Sequence, residues 1–311
     1  MIYATLHKRR CDHRVLPNLA AKAFFQVSRF KEHCGFTSTT IFPKGENMYQ
    51  RLIQYVLSVM IAPVLLVACG GDGSSSGSTH DESALALYNS AAEKVNNAEG
   101  LAWNDETTTT LDNPGQSTPI LRTVGTTIID KPAKGNLGWS EKYADYNADG
   151  ALLGTYEYYV KDEIFYVKTS HEQYKYKMDN DEIEEFLDYE LLDVLDKDNV
   201  TDASSTSEDG NKVVSFSLAL DAYKDVFDDL IDSFDDYNEL SGFTRPTPLS
   251  RTITATLDSN DNITQVIITT VVEITLNGQK ATVTETSKVL NLKQGRQTIT
   301  FPDDLNTYPD F

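Results

Sequence analysis

A short acidic stretch, DYNADG at 145–150, has the residue types and spacing of the first half of a calcium-binding loop. Asp145, Asn147 and Asp149 stand at alternate positions before a glycine, so their side-chain oxygens could converge on one ion. The twelfth loop position is Tyr156, however, and the acidic residue that would bind calcium through both oxygens comes one place later. A β-hairpin turn with Asp-Gly at its tip explains the same residues through turn chemistry alone. We therefore predict a hairpin and no metal ion here, and keep calcium binding as the alternative.

Histidine and cysteine are scarce beyond position 69. His80 stands in a Gly/Ser-rich stretch and His171 in a polar turn between two strand-like segments, and no cysteine follows residue 69. Neither histidine has a second His or Cys nearby to complete a zinc site. Nothing in the sequence marks one pair among the many carboxylates as a catalytic pair. We expect no enzyme activity, no cofactor and no disulfide.

Cys69 closes an apolar run that begins soon after Met48. The segment MYQRLIQYVLSVMIAPVLLVAC has an arginine near its start, 16 mostly apolar residues and a small residue before the cysteine. Its last four residues, LVAC, resemble the bacterial lipobox, in which the cysteine sulfur is acylated with diacylglycerol and the chain is cut before it. The apolar run is shorter than the ~20 residues that span a bilayer as a helix. We predict a lipoprotein signal peptide at 48–68; a retained transmembrane helix and a buried core helix are the alternatives.

The rest of the chain divides around this signal. Residues 1–47 lie upstream of an otherwise complete signal peptide, so we predict that translation begins at Met48; an extended basic segment is the alternative. Residues 69–80, CGGDGSSSGSTH, are predicted to form a flexible tether. Residues 81–311 contain no repeat of fixed period and no second linker of this kind, which favours a single domain.

Charge is distributed very unevenly between these parts. Residues 1–68 hold 9 Lys and Arg against 3 Asp and Glu, and the remainder holds 18 against 44, a net charge of about −26. Such a surface repels phosphate backbones, so nucleic acid is excluded as an expected partner. The same charge would keep the domain away from an anionic bilayer unless the chain were anchored. The predicted location is therefore the extracytoplasmic face of the cell membrane, through a lipid on Cys69.

Apolar periodicity predicts an α+β domain. Three- and four-residue spacing predicts helices at 81–97, 181–195 and 220–240. Segments rich in Thr, Tyr and Val, separated by short turns, predict antiparallel strands. These strands are expected at 100–111, 121–130, 137–145, 152–160, 163–169, 173–178, 250–258, 262–276 and 280–292. A curved sheet must cover its apolar face, so we expect a half-open barrel with the amphipathic helices on its concave face.

Several segments together resemble a known group of proteins. They are the lipobox and its tether, the opening LALYNSAAEKVNNAEG, the tyrosine-rich YEYYVKDEIFYVK and the closing ITFPDDL. The chain is similar in these features to Gram-positive lipoproteins of the LolA-like and LppX-like group. The resemblance implies an unclosed β-barrel wrapped around helices, with a cavity between them that holds acyl chains in several members. It covers most of residues 80–311 and transfers no individual binding residue.

The predicted ligand is accordingly apolar or amphipathic and lipid-like. Alternation places Tyr158, Tyr174 and Tyr176 on one face of the sheet. The helix at 220–240 presents the apolar stripe that contains Tyr223, Phe227 and Leu230. These six residues are the predicted walls of a ligand pocket; buried core and a sugar-stacking platform are the alternative roles of the tyrosines. An envelope interaction or adhesion module without a small ligand is the alternative function.

Overall fold

The computed structural model describes residues 81–113, 116–132, 137–208, 210–223, 247–276 and 279–311. The predicted start at Met48, the signal peptide, Cys69 and the tether lie outside the described residues. So does most of the predicted helix at 220–240. The described helices are α1 (Glu82–Asn96) and α2 (Asn180–Leu187), with 3-10 turns at Lys197–Asn199, Leu220–Tyr223 and Leu305–Thr307.

Eleven strands form one antiparallel sheet. In chain order they are β1 (Gly100–Asn113), β2 (Gln116–Asp130), β3 (Gly138–Asn147), β4 (Leu152–Lys161), β5 (Ile164–Thr169), β6 (Gln173–Lys177), β7 (Val200–Glu208), β8 (Asn211–Leu218), β9 (Thr247–Leu257), β10 (Ile263–Leu276) and β11 (Gln279–Gln294). All the strands predicted from the sequence are present, with somewhat different ends. β7 and β8 were not predicted. The Ser- and Thr-rich sequence of β7 carries little apolar signal, whereas β8 alternates Val214, Phe216 and Leu218, a strand signal that the sequence reasoning missed.

The order of the strands leaves the sheet unclosed. Two meanders, β6 to β1 and β11 to β7, meet where β1 pairs with β11, for example at Thr108 opposite Thr286. The two ends of the order, β6 and β7, do not pair with each other in the described part of the chain. This is the unclosed antiparallel sheet that the sequence predicted.

Both helices contact the same face of the sheet, which we call the helix-bearing face. Tyr88 of α1 lies 5.2 Å, between ring centroids, from Phe216 of β8, and Phe186 of α2 lies 5.0 Å from Trp139 of β3. Cross-strand register places Phe216 and Trp139 on one side of the sheet. Most of the apolar core lies between this face and the helices.

Helix α1 forms where the sequence predicts it. The side chain of Asp81 accepts hydrogen bonds from the backbone N–H groups of Ser83 and Ala84, which caps the first turn. Tyr88, Ala92 and Val95 are buried against the sheet. The stripe of three- and four-residue spacing is thus the buried side of the helix.

Helix α2 is shorter than predicted. The apolar pattern predicted a helix over 181–195, but α2 ends at Leu187, and residues 188–196, which we call the crossing segment, are irregular. Lys131 Nζ contacts the carbonyl oxygens of Leu187 and Tyr189, at 2.9 and 2.6 Å. These carbonyls at the helix end therefore find a partner outside the helix, and the chain turns away to cross the sheet.

The C-terminal segment covers part of the opposite face. Leu305 and Tyr308 pack against Tyr159 and Tyr166 of the β4–β5 hairpin, and all four are buried. The segment then runs beside the edge of β6, where the backbone N–H of Lys175 donates to the carbonyl of Pro309 at 2.9 Å. No helix among the described residues has both the length and the apolar character needed to cross a bilayer.

Candidate functional site

Five aromatic side chains form a continuous cluster on the helix-bearing face of β3 to β6, which we call the aromatic cluster. Tyr143 stacks on Tyr156 with ring centroids 4.8 Å apart and lies 5.8 Å from Tyr158. Phe165 continues the cluster, 6.0 Å from Tyr158 and 5.4 Å from Tyr176. The predicted wall residues Tyr158 and Tyr176 are thus in one cluster.

The remaining predicted wall residues have different outcomes. Tyr174 lies on the same face of β6 and is half-buried, with its ring 5.0 Å from that of Phe311. Tyr223 ends a 3-10 turn, and its side chain is not described. Phe227 and Leu230 lie outside the described residues, as does the lipid-attachment residue Cys69. The predicted pocket wall on the helix at 220–240 therefore stays a prediction.

Two acidic side chains lie beside the aromatic cluster, each two positions after a buried tryptophan of its strand. Asp105 of β1 and Glu141 of β3 point to the helix-bearing face, on either side of β2. Trp103 Nε1 and Thr127 Oγ1 donate hydrogen bonds to the two oxygens of Asp105, at 2.5 and 3.1 Å. We call Asp105 and Glu141 the acid pair.

The surroundings of the acid pair raise the pKa values of both carboxyls. Burial raises the pKa of Asp105 to about 6, although the hydrogen bonds from Trp103 and Thr127 oppose the shift. Burial, followed by the negative charge of Asp105, raises the pKa of Glu141 to about 7. Both carboxyls are therefore protonated in mildly acidic solution and ionise close to neutral pH.

The tyrosine hydroxyls next to the acid pair stay protonated at all these pH values. Tyr143 donates a hydrogen bond to the hydroxyl of Tyr158 at 3.3 Å. Burial raises the pKa of Tyr143 and raises the pKa of Tyr158 to about 12. The site thus offers hydroxyl donors and two carboxyls within an aromatic wall, an arrangement that suits the polar end of an amphipathic ligand.

The crossing segment covers this part of the face. The ring of Tyr189 meets that of Trp139 edge to face, with centroids 5.1 Å apart. Burial and then the charges of Glu141 and Asp105 raise the pKa of Tyr189, so its hydroxyl lies within electrostatic reach of the acid pair. The segment that joins the two edges of the sheet therefore covers Trp139, which lies next to Glu141 on the helix-bearing face of β3.

A second polar group is buried farther along the same face. Arg251, Thr270, Glu285 and Thr109 lie opposite one another on β9, β10, β11 and β1, and all four are buried. Glu285 accepts a hydrogen bond from Ser287 Oγ at 3.2 Å, and burial raises its pKa well above the ordinary value. This row places an arginine and a carboxyl among buried residues of the helix-bearing face.

The stretch that resembles a calcium loop is a hairpin turn. Asn147 Oδ1 accepts the backbone N–H groups of Asp149 and Ala151, at 3.0 and 2.8 Å, and Gly150 has a positive φ of 77°. Asp145 Oδ1 accepts a hydrogen bond from Thr123 Oγ1 at 2.7 Å instead. The predicted β3–β4 hairpin is confirmed, and its side-chain oxygens serve the turn and the sheet.

Metal-binding residues do not come together elsewhere in the described ranges. His171 is exposed in the turn between β5 and β6, as predicted. Within the described residues no group of three or more His, Cys, Asp or Glu side chains is placed to hold a metal ion.

A shallow depression of about 320 Å³ lies across β2, β3 and β4. Its side chains belong to the face opposite the helices, and they include Val124, Thr126, Ala144 and Thr155. The oppositely charged Lys142 and Glu157 stand beside them. Gly125, Tyr143 and Tyr156, at the intervening strand positions, also line it, so this open depression borders two members of the aromatic cluster.

Sequence reasoning missed Asp105, Glu141 and Tyr189. The signal for the two acids was present: Asp105 follows Trp103 at a spacing of two, and Glu141 follows Trp139 in the same way. Residues two apart in a strand share a face, so an acid in that register faces the core. Tyr189 gave no such signal, because it was assigned to a helix that ends before it.

The fold and this site define a class: an antiparallel β-sheet that does not close, with helices and a crossing segment against one face. No protein-family model matches the chain, and no curated protein matches it. Three solved structures match in part: LprF from Mycobacterium bovis, a DUF1329 family protein from Desulfovibrio piger and a β-barrel-like DUF1849 protein from Brucella abortus.

These matches cover most of each chain, but their sequence identities and TM-scores are low. LprF is 12% identical over 72% of this chain and 98% of its own, with a TM-score of 0.37. The D. piger protein is 9% identical over 72% of this chain and 95% of its own, with a TM-score of 0.24. The B. abortus protein is 8% identical over 63% of this chain and 98% of its own, with a TM-score of 0.20. The unclosed sheet, the layout that the LolA-like and LppX-like resemblance implies, is observed directly in the strand order. Gram-positive origin stays a prediction.

Proposed function

We propose that this protein is a lipid-anchored extracytoplasmic lipoprotein that binds an apolar or amphipathic ligand on the helix-bearing face and has no enzymatic activity. The observation that carries the proposal is the aromatic cluster beside the acid pair, on a face of an unclosed sheet that the crossing segment partly covers. The aromatic rings supply an apolar wall, and the carboxyls and hydroxyls supply a small number of polar groups. In this proposal the helices lie on the concave side of a curved sheet, as in a half-open barrel.

Binding of an acyl chain on this face is energetically reasonable. Each buried methylene contributes ~0.8 kcal/mol, so a chain of about ten methylenes would offset much of the entropy lost on binding. The ligand's polar end would lie at Tyr143, Tyr158 and the acid pair. A strongly anionic head group is disfavoured there, because the described residues next to the acid pair supply no cation at ion-pair distance.

Binding is tested with the full-length protein, extracted gently and analysed by native mass spectrometry and by uptake of a pyrene-labelled diacylglycerol. We expect co-purifying lipid and saturable uptake at micromolar concentration. Val167→Trp should reduce uptake, because Val167 is buried on the helix-bearing face opposite Tyr158. Val124→Trp, which fills the depression on the opposite face, is the matched control and should leave uptake unchanged. Apo mass together with no uptake by the parent protein would rule the proposal out.

The anchor is tested separately, since it concerns residues outside the described part. We expect Cys69 to be the acylated N-terminus of the mature protein, and Cys69→Ala to release the protein from membranes in an alkaline wash. The strongly acidic domain has little other attraction to a bilayer. A mass that retains residues 48–68, or a Cys69→Ala variant that stays membrane-bound, would contradict the anchor.

One observation favours an envelope interaction module as the second candidate. The depression of about 320 Å³ faces away from the helices and is open, so it suits a partner surface better than an enclosed ligand. This candidate predicts that Val124→Trp weakens attachment of the protein to its envelope fraction, whereas Val167→Trp does not. The two substitutions thus separate the two functions.

A further inference from the structure

The crossing segment is held in place mainly by side chains. Asn96 Oδ1 accepts the backbone N–H groups of Leu191 and Leu192, both at 3.1 Å, and Asn96 Nδ2 donates to the Leu192 carbonyl at 2.7 Å. Asn89 makes the same pair of bonds with Leu195, both at 2.8 Å. Because none of residues 188–196 belongs to a strand, the segment can leave the sheet without breaking a β-ladder.

Apolar side chains of the crossing segment point both toward the protein and toward solvent. Leu191, Leu192 and Leu195 are buried. Val194, in contrast, is 48% exposed, and Leu187 at the end of α2 is 42% exposed. The segment therefore covers the helix-bearing face without being enclosed itself.

Ionisable groups of several elements surround the acid pair under this cover. Asp105 comes from β1 and Glu141 from β3, with the hydroxyls of Tyr143 and Tyr158 beside them. The crossing segment contributes Tyr189, whose ring packs on Trp139 beside Glu141 and which lies within electrostatic reach of the pair. Lys131 also lies beside this residue, with its Nζ 5.8 Å from the Tyr189 ring centroid, and interacts electrostatically with Asp188 and Glu190. Among the described residues no Lys, Arg or His forms an ion pair with either member of the acid pair.

We propose that residues 188–196 form a strap that opens and closes over the helix-bearing face, and that ionisation of Asp105 and Glu141 beneath it drives the opening. The strap would regulate access to the site of the proposed function, and its biological role rests on that function. Its opening is a property of the protein alone and is measurable without a ligand.

Linkage between protonation and conformation gives the direction of the effect. Asp105 and Glu141 are half-buried in the closed form, and this burial favours the neutral carboxyls. The closed form therefore binds protons more tightly than an open form in which both groups are more exposed to water. Raising the pH from 5.5 to 8 therefore shifts the population toward the open strap. The ratio of open to closed strap rises by up to tenfold per pH unit for each carboxyl, over the pH range in which that carboxyl is protonated in the closed form and ionised in the open form.

Hydrogen exchange of the full-length protein measures this opening. Protection factors, corrected for intrinsic exchange at each pH, are compared between peptides covering 188–196 and peptides from the β9–β10 ladder. We expect strap protection to fall at least tenfold between pH 5.5 and 8 and to stay below the protection of the ladder at both pH values, because the strap opens without global unfolding. The double variant Asp105→Asn/Glu141→Gln should lose this pH dependence, whereas Glu190→Gln, which removes an exposed acid from the strap itself, should keep it. Equal protection at both pH values, or pH dependence that survives in the double variant, would overturn the strap.

Uptake of pyrene-labelled diacylglycerol, whose head group does not titrate, separates this proposal from the function on which it rests. We expect faster uptake at pH 8 than at pH 5.5 for the parent protein and equal rates for the double variant. Loss of strap protection at pH 8 without any uptake would support the strap and count against ligand binding. Uptake with strap protection independent of pH would support ligand binding and overturn the strap.

Discussion

Asn96 of α1 binds both backbone polar groups of Leu192: its Oδ1 accepts the Leu192 N–H at 3.1 Å, and its Nδ2 donates to the Leu192 carbonyl at 2.7 Å. The two residues are far apart in sequence, and the backbone of Leu192 finds in this one amide side chain both an acceptor and a donor. A helix through Leu192 would have used the same N–H and C=O groups internally. Asn96 thus replaces helical hydrogen bonds and fixes the path of the crossing segment.

Replacing Asn96 by alanine should destabilise the protein by about 2–3 kcal/mol, because it leaves partly buried backbone groups of Leu191 and Leu192 without their partners. Asn97→Ala is the matched control: its amide is exposed and bonds only the Glu93 carbonyl of its own helix. We expect a loss within about 0.5 kcal/mol for this control. Urea denaturation measures both, and equal losses would show that the clamp on the crossing segment contributes nothing.

Stability should fall as the pH rises from about 4 to about 7. The folded-state pKa of Glu141, about 7, lies above its ordinary value of 4.5, so the native state binds more protons than the unfolded chain in this window. Since one pKa unit is worth about 1.4 kcal/mol, Glu141 accounts for a loss on the order of 3 kcal/mol. Glu141→Gln should flatten much of this dependence in urea titrations at pH 5 and pH 8. A parent protein that is more stable at pH 8 than at pH 5 would contradict the assignment.

Two substitutions of Tyr308 distinguish the contribution of its buried ring to stability from that of its hydroxyl. The residue is 2% exposed beneath the β4–β5 hairpin, and its hydroxyl has no hydrogen-bond partner within the described residues. Tyr308→Ala should cost about 3–5 kcal/mol through the cavity it leaves. Tyr308→Phe should be neutral or slightly stabilising, because a buried polar atom is removed. Thermal and urea unfolding measure both, and a large loss in Tyr308→Phe would reveal a partner for the hydroxyl.

Calcium should not change the stability of the domain. The side-chain oxygen of Asn147 already accepts two backbone N–H groups in the turn, and Asp145 accepts a hydrogen bond from Thr123. Thermal melts in millimolar calcium and in chelator should therefore coincide. A rise of several degrees in calcium that is abolished by Asp145→Ala would show that the turn binds the ion after all.

Much of the fold followed from local patterns. Strand after strand was predicted from Thr-, Tyr- and Val-rich segments with short turns, because antiparallel neighbours joined by such turns must pair. Helix α1 was predicted from its apolar stripe, and the turn at Asn147 from its Asp-Gly tip. These features depend on residues close together in the chain, so the sequence alone determined them.

Tertiary structure decided the rest. The apolar pattern of 181–195 is compatible with a helix, but Asn89 and Asn96 of a distant helix bind its backbone and draw residues 188–196 across the sheet. β7 has almost no apolar signal and becomes a strand because β8 offers it a ladder. The acid pair shows the same limit, because Asp105 and Glu141 become a site only when the pairing of β1, β2 and β3 brings them to one face of the sheet. The raised pKa values that follow come from burial, which is a property of the packed structure and of no single residue.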